Sequence, residues 1–286
     1  MRIQQTRRSI GAALAVMVCV LAWPALAAKP ALSINVKLVK ITVEIDTALK
    51  RYPGLFDNCL AEGKAWAKEM LGRAEKGRRE NLSSFRVGRE WPYDSNYVMR
   101  SAVGRHVSIV RYDQSLEDGA HPVTLIDTIL WDRKTQERVN IRRFFTETAD
   151  NGPTMTALAL LTQLAVAAEK IAREIPAKEG VPLTADTTPE QYLQDKDFLW
   201  EGKVENVIKD RIKPALLKIG PVTLAPSTEP GKSSGLSFYY SQYELGPYVD
   251  GSDSVFVPWT AFRQYLSHDG TAIFAGARPK NDEERW

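Results

Sequence analysis

Cysteine is nearly absent, with two in 286 residues, Cys19 and Cys59. Histidine is scarce as well: His106, His121 and His268 are the three. None belongs to a helical His-x-x-x-His pair or stands beside a cysteine at metal-ligand spacing, so a metal site would have to be assembled from distant parts of the chain. There is no phosphate-binding glycine loop and no Gly-x-Ser-x-Gly elbow, which removes the usual signatures of nucleotide chemistry and of serine hydrolysis. Asp250-Gly251-Ser252-Asp253 lacks the spacing and closing Glu of an EF-hand and reads as a polar turn between strands. No cofactor, metal or catalytic residue is therefore named. Carboxylates are plentiful, so a glycosidase-type pair stays open without a motif to point at.

The one long apolar run lies at the N terminus. Arg2, Arg7 and Arg8 precede Ile10 to Leu21, Trp23-Pro24 ends the run, and Ala25-Leu26-Ala27 supplies small side chains for a signal peptidase. The pattern predicts a signal peptide over residues 1–27, cut before Ala28, and a soluble periplasmic protein with no membrane span after cleavage. Cleavage removes three of the 38 basic residues and no acidic ones, leaving 35 against 35. A neutral mature chain gives no basis for nucleic-acid binding, which needs a clustered basic face. Arg73 to Arg89 is basic but also holds Glu75 and Glu80, and reads as a solvated helix end.

Only Cys59 survives cleavage, so no internal disulfide is available and stability must come from a core. Leu55, Phe56, Cys59, Leu60, Trp66, Met70 and Leu71 recur at three- and four-residue steps, predicting a helix to about Gly77 with Cys59 as a buried free thiol on its apolar face. Before it, Ile34 to Ile45 alternates with a phase slip at Leu38-Val39, which predicts one long strand with a bulge. Strand-like runs follow at Tyr97–Val103, His106–Tyr112, Val123–Trp131 and Arg138–Ile141, spaced as an antiparallel meander. Met155 to Ile175 reads as a helix. A capping box at Thr188-Pro189-Glu190-Gln191 predicts another, reaching, whole or broken, to Pro214. Strand signals return at Val222–Leu224, Leu236–Tyr240 and Val255–Val257, with a last short helix from Pro258. Strands, then helices, then strands predict an α+β fold of antiparallel sheets packed against helices, with a helical insert between strands of the C-terminal part. The organisation expected is residues 28–115 as a strand-helix-strand domain and 116–286 as a second, packed together as one unit.

Two local patterns stand out. Asp118-Gly119-Ala120-His121-Pro122 connects two strands; its glycine permits close backbone approach, and Pro122 biases His121 to extended geometry. One reading is a connection whose histidine bonds a backbone carbonyl across the sheet; the other is a partner contact. Tyr239 to Gly251 is dense in tyrosine and glycine, with Tyr243, Gly246, Pro247, Tyr248 and Gly251 prominent. Tyrosine is rigid and amphipathic, suited to sugar rings or another protein. The plainer reading is that Tyr243 and Tyr248 close the edge of the core.

The same two segments resemble the RsiV-like domain family, named for the extracellular region of a lysozyme-sensing anti-sigma factor and also found beside a peptidoglycan deacetylase domain. The resemblance rests on Ala120-His121-Pro122, the turn Asp132-Arg133-Lys134-Thr135-Gln136 and the later Tyr243, Gly246, Pro247, Tyr248, Gly251 and Pro258, and covers about Asp118 to Leu266. The opening, Ile34 to Gly77, is similar to the smaller domain that usually precedes it. Asp118 and Val249 depart from the family pattern, and no stretch of the 286 residues reads as an anti-sigma segment or a deacetylase module. The resemblance implies a non-catalytic periplasmic binding protein for lysozyme-like enzymes or their cell-wall context. Partner contacts are then expected from Glu117, Asp118, Tyr243, Tyr248 and Asp250, with Gly119, His121, Pro122, Gly246, Pro247 and Gly251 shaping the turns. Glu117, Asp118, Asp250 and Asp253 supply negative charge to steer a cationic lysozyme. The alternatives are a peptidoglycan hydrolase with an unrecognised carboxylate pair and a passive peptidoglycan-binding module.

Overall fold

The computed structural model describes residues 30–80, 90–117, 121–174 and 203–282. The expected signal peptide, the turn residues Asp118, Gly119 and Ala120, and the start of the helix expected from Thr188 lie outside the described residues. The first sheet has six strands in the order β1 (Leu32–Val36), β2 (Val39–Ile45), β3 (Trp91–Val103), β4 (His106–Ser115), β5 (Val123–Asp132) and β6 (Glu137–Val139). Helix α1 (Pro53–Glu80) crosses between β2 and β3, which pair in parallel, so the sheet is mixed and only its later strands form the antiparallel meander. The second sheet, β7 (Val222–Leu224), β8 (Gly235–Tyr240) and β9 (Asp253–Pro258), is antiparallel. Helices α2 (Pro153–Glu174) and α3 (Lys203–Arg211) stand between the sheets in sequence, and short α4 (Trp259–Phe262) and α5 (His268–Ile273) follow β9. The fold is α+β.

The single bulged strand expected over Ile34 to Ile45 is instead a hairpin. Leu32 pairs with Val43 and Val36 with Val39, and Leu38 closes the connection at φ 67°. Hairpins of two residues normally announce themselves with Asn or Gly at such positions; Lys37-Leu38 carries neither, so the reversal of the chain looked like a slip of phase. No bulge interrupts this hairpin; a bulge is found instead in β3, between Met99 and Ser101.

That bulge decides which side chains face which core. Tyr93, Tyr97 and Met99 pack against α1 with Ile41, Val43, Val107, Ile109, Ile129 and Trp131, whereas Val103, past the bulge, belongs to the second core. A strand's side chains alternate faces, and one extra residue reverses the alternation. On α1 the buried positions are Leu55, Cys59, Gly63, Ala67, Met70 and Ala74, one stripe at helical spacing. Small residues on the stripe let the helix lie close to the sheet: a Cβ on Gly63 would meet Val43 Cγ1 at 2.6 Å.

The opposite face of the first sheet carries β7, whose outer edge is satisfied by hydroxyls. Leu224 N donates to Ser108 Oγ at 3.1 Å, Val222 N to Thr128 Oγ1 at 3.0 Å, and Ser101 Oγ donates to the Leu224 carbonyl at 2.5 Å. An open strand edge invites foreign pairing; here it is closed within the chain. Every residue of β8 is buried: Tyr239 meets Val110 and Ile126 of the first sheet, while Leu236, Phe238 and Tyr240 join the core that includes α2 residues Met155, Leu158 and Val166. Two cores on two faces of one sheet replace any disulfide, each fully buried large apolar side chain contributing about 1.5–3 kcal/mol. β4 and β5, on either side of residue 116, are hydrogen-bonded neighbours in that sheet.

A charged knot seals the end of β5. Asp132 is fully buried, with Arg105 Nε at 2.9 Å, Arg143 Nη1 at 2.8 Å and the Lys134 amide donating to Oδ1 at 2.9 Å. Burial alone would raise its pKa; the Lys134 amide and Arg105 outweigh that and hold the carboxyl below its ordinary value. Asp132 also anchors the turn into β6, where Gln136 takes φ 57°. His106 sits against this knot, 3.8 Å from Asp132 and edge-on to Phe144, and burial pushes its pKa down.

Candidate functional site

β6 pairs only with Leu130 to Asp132, so among the described residues the first half of β5 has no strand on that side. Its outward amides are taken by the connection that follows β8. Thr124 N donates to Gln242 Oε1 at 2.9 Å and Ile126 N to Ser241 Oγ at 2.9 Å. These two bonds lay Ser241 and Gln242 along β5 and deliver Tyr243 to His121, just ahead of β5. Tyr243 Oη and His121 Nε2 are 2.9 Å apart. Tyr248, opening the 3-10 turn Tyr248–Asp250, stacks on a face of the imidazole with ring centroids 3.6 Å apart and planes 18° apart. The two tyrosine rings are 5.8 Å apart.

The cluster is wet on its outer side. Tyr243 is 54% exposed and Val249, next to Tyr248, is 87% exposed. Tyr243 also holds φ 68°, a left-handed conformation that costs a bulky side chain free energy. Such a conformation persists where surrounding bonds over-determine it, as the Gln242 and Ser241 bonds do here. His121 was expected to bond a backbone carbonyl across the sheet; its partner is a phenol from a distant connection, and its Nδ1 has no hydrogen-bond partner among the described residues.

Two cations hold the connection from the helix side. Arg211 of α3 pairs with Glu244, whose other oxygen accepts from Ser241 N at 2.8 Å. Lys170 of α2, 8% exposed, lies 3.2 Å from Asp250 Oδ2 and 3.5 Å from Asp253 Oδ2. Gly246 is part of this geometry because a Cβ there would fall 2.2 Å from Asp250 Oδ2. Pro247 enters the 3-10 turn at φ −67°, and Gly251 leaves it at φ 76°, which suits a residue without a Cβ.

The expected site residues thus divide. Tyr243, Tyr248 and His121 come together, with Pro122 exposed beside them. Asp250 faces Lys170, and Asp253, named for steering, is 2% exposed inside the same ion cluster, so it presents no charge to a partner. Glu117 is bound elsewhere, to Arg73 of α1 at 2.8 Å and to the Tyr93 hydroxyl at 3.3 Å. Lys170, Arg211 and Glu244 escaped sequence reasoning. A lone lysine among the alanines of α2 was a signal, but its partners lie far along the chain.

Outside this region three carboxylates surround Arg111, with Asp113 at 3.1 Å, Asp127 at 3.4 Å and Glu62 at 3.7 Å. Burial raises the Asp113 pKa, while the Ser95 hydroxyl, donating at 2.6 Å, and Arg111 pull the other way. A central guanidinium makes this an ion-pair cluster tying α1 to the sheet. Among the described residues no group of three or more His, Cys, Asp or Glu is placed to hold a metal ion. Among them, too, no helix is long and apolar enough to cross a membrane.

The class of protein defined so far is an α+β fold with an aromatic cluster on a stitched connection. Among solved structures the chain is similar to a DUF3298 family member from Bacteroides fragilis NCTC 9343, with 14% identity, a TM-score of 0.47, and 82% of this chain and 87% of that chain covered. It is likewise similar to a DUF3298 family protein from Pseudomonas aeruginosa PAO1, with 14% identity, a TM-score of 0.48, and 83% and 87% covered. No protein-family model matches the sequence, and no curated protein matches it.

Proposed function

We propose that the protein is exported to the periplasm and acts there as a non-catalytic binding protein, with the His121–Tyr243–Tyr248 cluster as its recognition surface and a lysozyme-like enzyme as its partner. The observation that carries this reading is a half-exposed tyrosine, held in a left-handed backbone conformation and hydrogen-bonded to a stacked histidine. Rigid aromatic anchors of this kind dominate binding energy at interfaces because little side-chain entropy is lost on contact. Net charge contributes little to the attraction, the mature chain being neutral, and Asp250 and Asp253 are paired with Lys170.

Calorimetric titration of the mature protein with several lysozyme types tests the reading. Binding at micromolar concentrations, roughly −8 kcal/mol, is expected for at least one type. Tyr243→Ala should weaken it about tenfold, the loss of a hot-spot side chain. Absence of binding to every type overturns the partner; co-sedimentation with purified sacculi would move the surface to glycan, and release of sugar from them would make the protein an enzyme.

A further inference from the structure

We infer that Lys170, on the helical insert, is a positioning residue for the aromatic cluster: its ammonium fixes the 3-10 turn that presents Tyr248 to His121. The inference rests on geometry and deepens the reading of that cluster as the recognition surface. Lys170 is buried at the far end of α2, outside the connection it controls, and bonds both sides of Gly251: Asp250 Oδ2 at 3.2 Å and Asp253 Oδ2 at 3.5 Å. Asp250 closes the turn whose first residue is Tyr248. Asp253 begins β9 and is nearly fully buried. One cation thus ties a three-residue turn to a strand and a helix of the core.

Gly246 is independent support. A Cβ at that position would lie 2.2 Å from Asp250 Oδ2 and 3.1 Å from Lys170 Nζ. The backbone of Gly246 is therefore packed against the ion pair itself, and even a methyl group would have to push the carboxylate off the ammonium. On the other flank, Arg211 and Glu244 fix the approach to Tyr243. Each tyrosine that touches His121 is consequently held by a different helix of the insert, Tyr248 through α2 and Tyr243 through α3.

The stacking is read directly by proton NMR of the mature protein. A tyrosine face 3.6 Å from an imidazole shifts the His121 ring protons upfield. Lys170→Met should remove that displacement while the resonances of the α1 core stay in place, and Lys170→Arg should restore most of it. Gly246→Ala, which keeps the lysine, should reproduce the loss and keeps the test open if Lys170→Met fails to fold. His121 resonances unchanged in either folded variant overturn the inference. Lysozyme affinity is measured separately, so a wild-type protein with stacked rings and no lysozyme binding would sink the partner and leave the positioning role standing.

Discussion

Tyr243 and His121 meet through a single 2.9 Å bond between a phenol oxygen and Nε2, although one stands ahead of β5 and the other beyond β8. The bond joins the two connections at one corner of the molecule. Replacing His121 with alanine removes it together with the Tyr248 stack, and the loss should be about 1–2 kcal/mol in a urea melt. His121→Phe keeps a ring against Tyr248 and should recover about half. A His121→Ala variant of wild-type stability would show that the corner is held by the Ser241 and Gln242 bonds alone.

Acid should weaken the protein in two stages. Burial lowers the His106 pKa from its ordinary 6.5, so the unfolded chain binds that proton more readily. The stability tied to neutral His106 is fully present above about pH 6.5 and is lost as the pH falls through the folded value. Asp132, also depressed, contributes above its unfolded value of about 4, and that contribution is lost below it as the pH falls through the folded value. His106→Leu should flatten the first stage and cost less than about 1 kcal/mol at pH 8, since neither ring nitrogen has a hydrogen-bond partner among the described residues. Urea melts between pH 3 and 8 check both; an unchanged slope in the variant between pH 5 and 6.5 would clear His106 of the first.

Cys59 should be silent to thiol reagents. It is fully buried on α1, and burial, with Glu62 nearby, pushes its thiol up to about 12. Since the thiolate is the reacting species, an aromatic disulfide reagent at pH 8 should titrate no thiol in native protein made without residues 1–27 and one after denaturation. Rapid labelling without denaturant would mean that α1 lifts from the sheet.

Gly63→Ala sets two effects against each other. Alanine favours a helix over glycine by about 1 kcal/mol, whereas overpacking a core costs about 1–3 kcal/mol. The new methyl would lie 2.6 Å from Val43 Cγ1, so the clash should win and thermal stability fall. Val43→Ala in the same chain should reverse part of the loss, a non-additivity expected only of residues in contact.

Local chemistry made much of this protein legible in its sequence. The helix burying Leu55, Cys59 and Met70, the strands around Val107 and Ile129, and the helix after Gly152 follow from apolar spacing, which acts between near neighbours. His121, Tyr243 and Tyr248 were recognisable as unusual residues for the same reason. Only the tertiary structure decided what they do to one another. The Lys37-Leu38 reversal carries no Asn or Gly to mark it, and the bulge at Met99 and the capture of the β5 edge by Ser241 and Gln242 depend on contacts with other segments that leave no period to read. The same holds for Lys170, whose charge in an alanine-rich helix is tolerable only because Asp250 and Asp253 arrive from far along the chain to neutralise it.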